Sequence, residues 1–148
     1  MDQGFFEHVL DAFEGFVGDD HGPVHAGAHR RGLKVWFDNR DAPPSREHYE
    51  AQLIRLDGEA ALEIGFHAEN RDPLANEAAL ERLLAVESDW RDRLGEDATA
   101  GPFLGRGDWR RISEVWPPPD PEDPEAAMEV AGRLADYVDA LEPIRVRD

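Results

Sequence analysis

The chain has 148 residues, no cysteine, and 33 acidic against 16 basic residues, for a formal net charge of −17. A single domain of this size buries roughly 70% of its unfolded surface, so packing alone must hold the core, without a disulfide, a thiolate nucleophile or a cysteine-type zinc site. The charge repels nucleic-acid phosphates and anionic membranes, which argues against direct DNA or RNA binding and against attachment to a membrane surface.

At the N-terminus, Asp2, Glu7, Asp11 and Glu14 interrupt the apolar residues, unlike a secretory leader. No segment reaches the length of a membrane span, and the expected location is the cytoplasm. Phe5, Phe6, Val9, Leu10, Phe13, Phe16 and Val17 recur every three or four residues and predict a first helix, closed by Gly18. The stretch DDHGPVHAGAHRRG follows, with His21, His25 and His29 four residues apart. A helix would gather them on one face, but Gly22, Pro23 and Gly27 break any helix here. In an extended chain they spread over about 13 Å, too far to chelate one ion. The segment therefore reads as a polar link that brings His29 to a sheet edge. In GLKVWFD, Leu33, Val35 and Phe37 alternate with Lys34, Trp36 and Asp38, which predicts a strand. Lys34 is the only lysine and so the sole Schiff-base candidate, though it reads as a solvated strand residue. Pro43 and Pro44 mark the next stretch as a loop.

HYEAQLIRLDGEAALEIGFHAE contains two alternating runs divided by Asp57-Gly58, a two-residue hairpin turn. Placing Leu56 opposite Glu59 sets Leu53 against Leu62, Ala51 against Ile64 and Tyr49 against Phe66, an apolar ladder on one face. The other face then pairs Gln52 with Glu63, Glu50 with Gly65, and His48 with His67. Asp72 and Pro73 form a cap and first position for a long second helix, with Leu80, Leu83, Leu84, Trp90 and Leu94 as its buried stripe and Gly95 as its stop. Two short strands are predicted next, one around Phe103-Leu104 and one from Trp109 to Trp116. PPPDPEDPE is a stiff connector, and Asp123-Pro124 opens a last helix with Met128, Ala131, Leu134, Ala135, Val138 and Leu141 on its apolar side.

The predicted order is α-β-β-β-α-β-β-α, a single α+β domain over residues 1–148. It is a two-layer arrangement with an antiparallel sheet of about five strands and helices on one face. In element order, size and acidity it resembles the type III secretion chaperone-like fold, shared by secretion chaperones and YbjN-like proteins. The resemblance implies a homodimer that binds another polypeptide without enzymatic activity.

The hairpin's polar face carries the most concrete chemistry. Facing side chains on paired strands stand about 5 Å apart at Cβ, so His48 and His67, flanked by Glu50 and Glu63, could bind zinc or exchange protons near neutral pH. Ordinary residence on a solvated sheet face is the competing interpretation. Trp36 projects from the same face if its strand pairs beside the hairpin, and Ile54 sits there too, which suggests a covering partner. In GRGDWRR, Arg106, Arg110 and Arg111 make a local positive patch, but no GK[ST] follows and no phosphate loop is formed. The Arg106-Gly107-Asp108 tripeptide reads as a turn. Ser45, Ser88 and Ser113 lack a nucleophile-elbow context.

The leading expectation is a small acidic interaction protein without cofactor, a homodimer binding a polypeptide or basic partner. Its binding surface would comprise Trp36, His48, Glu50, Gln52, Glu63, His67, Arg106 and Arg110. The alternative is a metal-assisted hydrolase or lyase using His48, His67 and their carboxylates on an exposed hairpin face. A third reading is an acidic mimic that occupies a nucleic-acid-binding protein.

Overall fold

In chain order the elements are α1 (Gln3–Phe16), β1 (His25–His29), β2 (Gly32–Trp36), β3 (Glu47–Leu56), β4 (Glu59–Ala68), α2 (Pro73–Leu84), α3 (Glu87–Leu94), β5 (Thr99–Phe103), β6 (Arg106–Trp116) and α4 (Pro124–Arg145). They come from a computed structural model that describes residues 3–38, 46–103 and 105–146. The predicted loop at Pro43 and Pro44, and Leu104, lie outside the described residues. No described helix is long and apolar enough to cross a membrane.

The strands form one open antiparallel sheet in the order β1-β2-β3-β4-β6-β5. Asp57 and Gly58 both take positive φ, 53° and 83°, as a tight hairpin turn of this kind requires. The β3-β4 register is the one the sequence predicts, including Leu56 opposite Glu59, Tyr49 opposite Phe66 and His48 opposite His67. Leu33, Val35, Tyr49, Ala51, Leu62, Ile64, Phe66 and Ile112 are all buried on one face, in a single core with Phe6, Phe13, Trp90, Leu134 and Leu141 of the helices.

Three predictions need correction. The sheet has six strands rather than about five, because His25–His29 is an edge strand and not a link. Ala and Gly carry little strand signal, so this strand is fixed by pairing with β2 and by the His25 ring stacked on Trp36 at 5.9 Å. The long second helix is divided at Ala85-Val86. There the Leu83 carbonyl accepts from the Trp90 indole at 2.8 Å and from Val86 N at 3.3 Å, instead of serving a continuous helix. Finally, three residues predicted on buried helix faces are exposed, Phe16 at 47%, Leu84 at 37% and Met128 at 51%, and the buried stripe of α4 runs through Ala127, Val130, Ala131, Leu134, Tyr137, Val138 and Leu141 instead.

Candidate metal centre

The face of the sheet opposite the helices is polar by sequence, yet its centre is largely buried. His48, Glu63 and His67 are fully buried, and Glu50 is nearly so. This corrects the expectation of an exposed hairpin face. The two imidazoles pack against each other with ring centroids 5.3 Å apart, and Phe103 of β5 meets His67 edge-on at 4.6 Å.

Strand geometry explains why these groups converge. Residues 63, 65, 67 and 69 have the same parity, and same-face neighbours two residues apart on a strand stand roughly 7 Å apart. Gly65 carries no side chain, so the His67 ring and the Glu63 carboxylate can lean toward each other across it. His67 Nε2 lies 2.7 Å from Glu63 Oε2. Glu50, paired with Gly65 on β3, can lean toward the same place.

Four side chains then present one donor atom each, all within 4.8 Å of one another: His48, Glu50, His67 and Glu69. Glu50 Oε1 is 3.0 Å from His48 Nε2 and 3.2 Å from His67 Nδ1. Glu69 Oε2 is 3.6 Å from His48 Nε2 and 3.2 Å from His67 Nδ1. Donors at 2.0–2.1 Å from a tetrahedral zinc ion stand about 3.3 Å apart, and these four separations lie close to that value. His67 Nδ1 is buried and, although two carboxylate oxygens are near, makes no hydrogen bond with acceptable geometry.

The other ring nitrogen of His67 is fixed by a chain of polar groups. A carboxylate offers only lone pairs, so Nε2–H donates to Glu63. Gln52 Nε2 donates to the other Glu63 oxygen at 2.8 Å, and the Ser113 hydroxyl adds a further bond. Arg111 in turn donates to the Ser113 hydroxyl at 2.8 Å. Histidine ligands are oriented in this way in metal centres, by a carboxylate on the ring nitrogen that does not bind the ion.

The electrostatics follow from crowding. Burial alone would lift the Glu50 and Glu63 carboxyls, but bonds and charge from the imidazoles hold both below the usual carboxylate range. Burial would lower His67, but Glu63, Glu50 and Glu69 together hold it well above the ordinary imidazole range. Three carboxylates around two imidazoles leave a negative surplus that a divalent cation would neutralise.

The remaining sequence-predicted residues are dispersed. Trp36 is half-buried under His25 at the β2 end of the same face. Arg106 lies 3.9 Å over the Trp109 ring and 3.6 Å from Asp108. Arg110 points to the helix side, where it meets Glu77 of α2 at 3.1 Å, so alternation splits the arginine patch between the two faces. Nor do the three spaced histidines meet. His21 bonds Asp139 at 2.7 Å, His25 stands 3.0 Å from Asp38, and His29 accepts from Arg31 N at 3.2 Å. Glu69 was missed by the sequence reading, although its parity with His67, one step beyond the hairpin arm, marks it for the same face. Compared with protein-family models, curated proteins and solved structures, the chain finds no match.

Proposed function

We propose that the protein binds one divalent transition-metal ion of the zinc class through His48, Glu50 and His67, with Glu69 beside it, and uses it for hydrolysis. The observation that carries this reading is the convergence of four donor atoms, all within 4.8 Å of one another, from His48, Glu50, His67 and Glu69 in a largely buried cluster. Mixed nitrogen and oxygen donors suit zinc, manganese or nickel better than calcium, which prefers six to eight oxygens. The side chains of Glu50 and Glu69 are 11% and 16% exposed, so solvent reaches the site from the carboxylate side. An ion held by His48, His67 and Glu50 would lower the pKa of bound water toward about 7, and Glu69, the more exposed carboxylate, would accept its proton.

Dialysis of metal-stripped protein against zinc, manganese or nickel, followed by elemental analysis, tests the binding. The expected result is one ion per chain and a raised melting temperature, worth about 2.7 kcal/mol when the free ion is a hundredfold above Kd. Unchanged melting and no retained metal would overturn the proposal. Hydrolysis is read separately, as metal-dependent turnover of an ester and phosphoester panel.

A second reading, capture of a basic polypeptide, is favoured by an open groove of about 450 Å³ at the hairpin tip. Leu56, Ala60, Ala61, Val115 and Trp116 line it with the acidic Asp57 and Glu59, which complement a basic segment. Salt-insensitive binding of a lysine-rich peptide, or none, counts against it.

A further inference from the structure

The strands beside the metal quartet hold a cation without a counter-ion. Arg111 of β6 pairs directly with His67, so both side chains rise from the same face with Cβ atoms about 5 Å apart. Its neighbours Arg106 and Arg110 each pair with a carboxylate, Asp108 and Glu77. Among the described residues, Arg111 has no carboxylate within ion-pairing distance, in a chain with 33 acidic residues. One corner of the guanidinium is anchored, since Nη1 donates to the Ser113 hydroxyl at 2.8 Å and to the Ser113 carbonyl at 3.2 Å. Its Nε is buried and has no hydrogen-bond partner.

A guanidinium held by Nη1 presents its Nε–Nη2 edge, the planar fork that meets two oxygens of a carboxylate or phosphate together. Space for such a group exists on the far side of Arg111, whose partner on β5 is Gly101. A methyl group placed on Gly101 would meet no atom within 4 Å. Phe103, which packs on both His67 and Trp109, supplies an apolar wall beside that opening.

We infer that Arg111 is an oxyanion-binding residue, and that the ligand of the metal site is a small molecule bearing a carboxylate or phosphoryl group gripped by the Nε–Nη2 edge of Arg111. This rests on the metal-binding reading above. The buried, unsatisfied Nε–H is the feature a purely structural arginine would lack, because an unpaired buried donor is unfavourable until an acceptor arrives.

The test uses the full chain loaded with cobalt(II), whose visible bands report the ion's surroundings, titrated separately with inorganic phosphate and with acetate. Wild type is expected to bind at least one of the two anions, and the stronger one identifies the group. Arg111→Gln should weaken that binding about 10- to 100-fold, and Arg111→Lys by less, each measured on protein shown by elemental analysis to carry cobalt. If cobalt binds but neither anion does, or if Arg111→Gln binds the anion as well as wild type, the inference fails and the metal site stands. If the chain takes up no cobalt, both fail together. Should Arg111→Gln not fold, Arg111→Lys alone decides, since it keeps the charge and removes the fork.

Discussion

Glu63 and His67 lie four residues apart on one strand, yet their side chains meet at 2.7 Å. Ideal strand geometry separates such positions by about 13 Å at the backbone, so the contact needs both side chains extended over an empty middle position. It also fixes which ring nitrogen of His67 is left for a ligand. Glu63→Gln keeps the shape and removes the charge, and should lower zinc affinity about 10- to 100-fold with little change in far-ultraviolet circular dichroism. Competition against a chromophoric chelator reads the affinity. Equal affinity in variant and wild type would show that Glu63 does not tune the site.

The empty middle position is Gly65, at φ 157°, where an added Cβ would collide with the Ile112 carbonyl and with the Ser113 Cα. Those contacts are with the backbone of β6 and cannot be relieved by a side-chain rotation. Gly65→Ala should therefore destabilise the protein by about 2 kcal/mol or more, through backbone strain and overpacking between β4 and β6. Urea denaturation measures this. A change below about 0.5 kcal/mol would mean that the two strands separate easily at this point.

The hairpin was legible because two independent signals agreed: the Asp57-Gly58 turn and the alternation on both arms. From that register the opposition of His48 and His67 followed without any tertiary information. Burial did not follow, since a row of His and Glu carries the same sequence pattern whether water or Phe103 covers it. Glu69 lay one step past the last apolar residue that defined the arm. β1 was unreadable because Ala26, Gly27 and Ala28 lack strand preference, and the pairing that orders them comes from β2. The break before α3 depends on the Trp90 indole reaching the Leu83 carbonyl, a contact between residues that fit one continuous helical stripe.

Glu114, on the helix side of β6, is unmarked in the sequence but strongly held in the fold. One oxygen accepts from Arg133 Nη2 and Tyr137 Oη, each at 2.7 Å, and the other from the Trp116 indole at 2.7 Å. Burial would raise its carboxyl, but these donors and the Arg133 charge hold it below the usual range. A carboxyl whose folded pKa is depressed adds stability above its unfolded value, about 4.3 for Glu, and that stability is lost as pH falls through the folded pKa. Glu114→Gln removes the charge while retaining an acceptor, so it should lower stability by about 2 kcal/mol at pH 7. The gap between variant and wild type should then narrow as pH drops below about 4, because protonation does to wild type what the substitution has done already. Denaturation at pH 7, 5 and 3.5 follows the difference. A gap that stays constant over that range would show that the ionised Glu114 carboxylate is not what ties β6 to Arg133 and Tyr137 of α4.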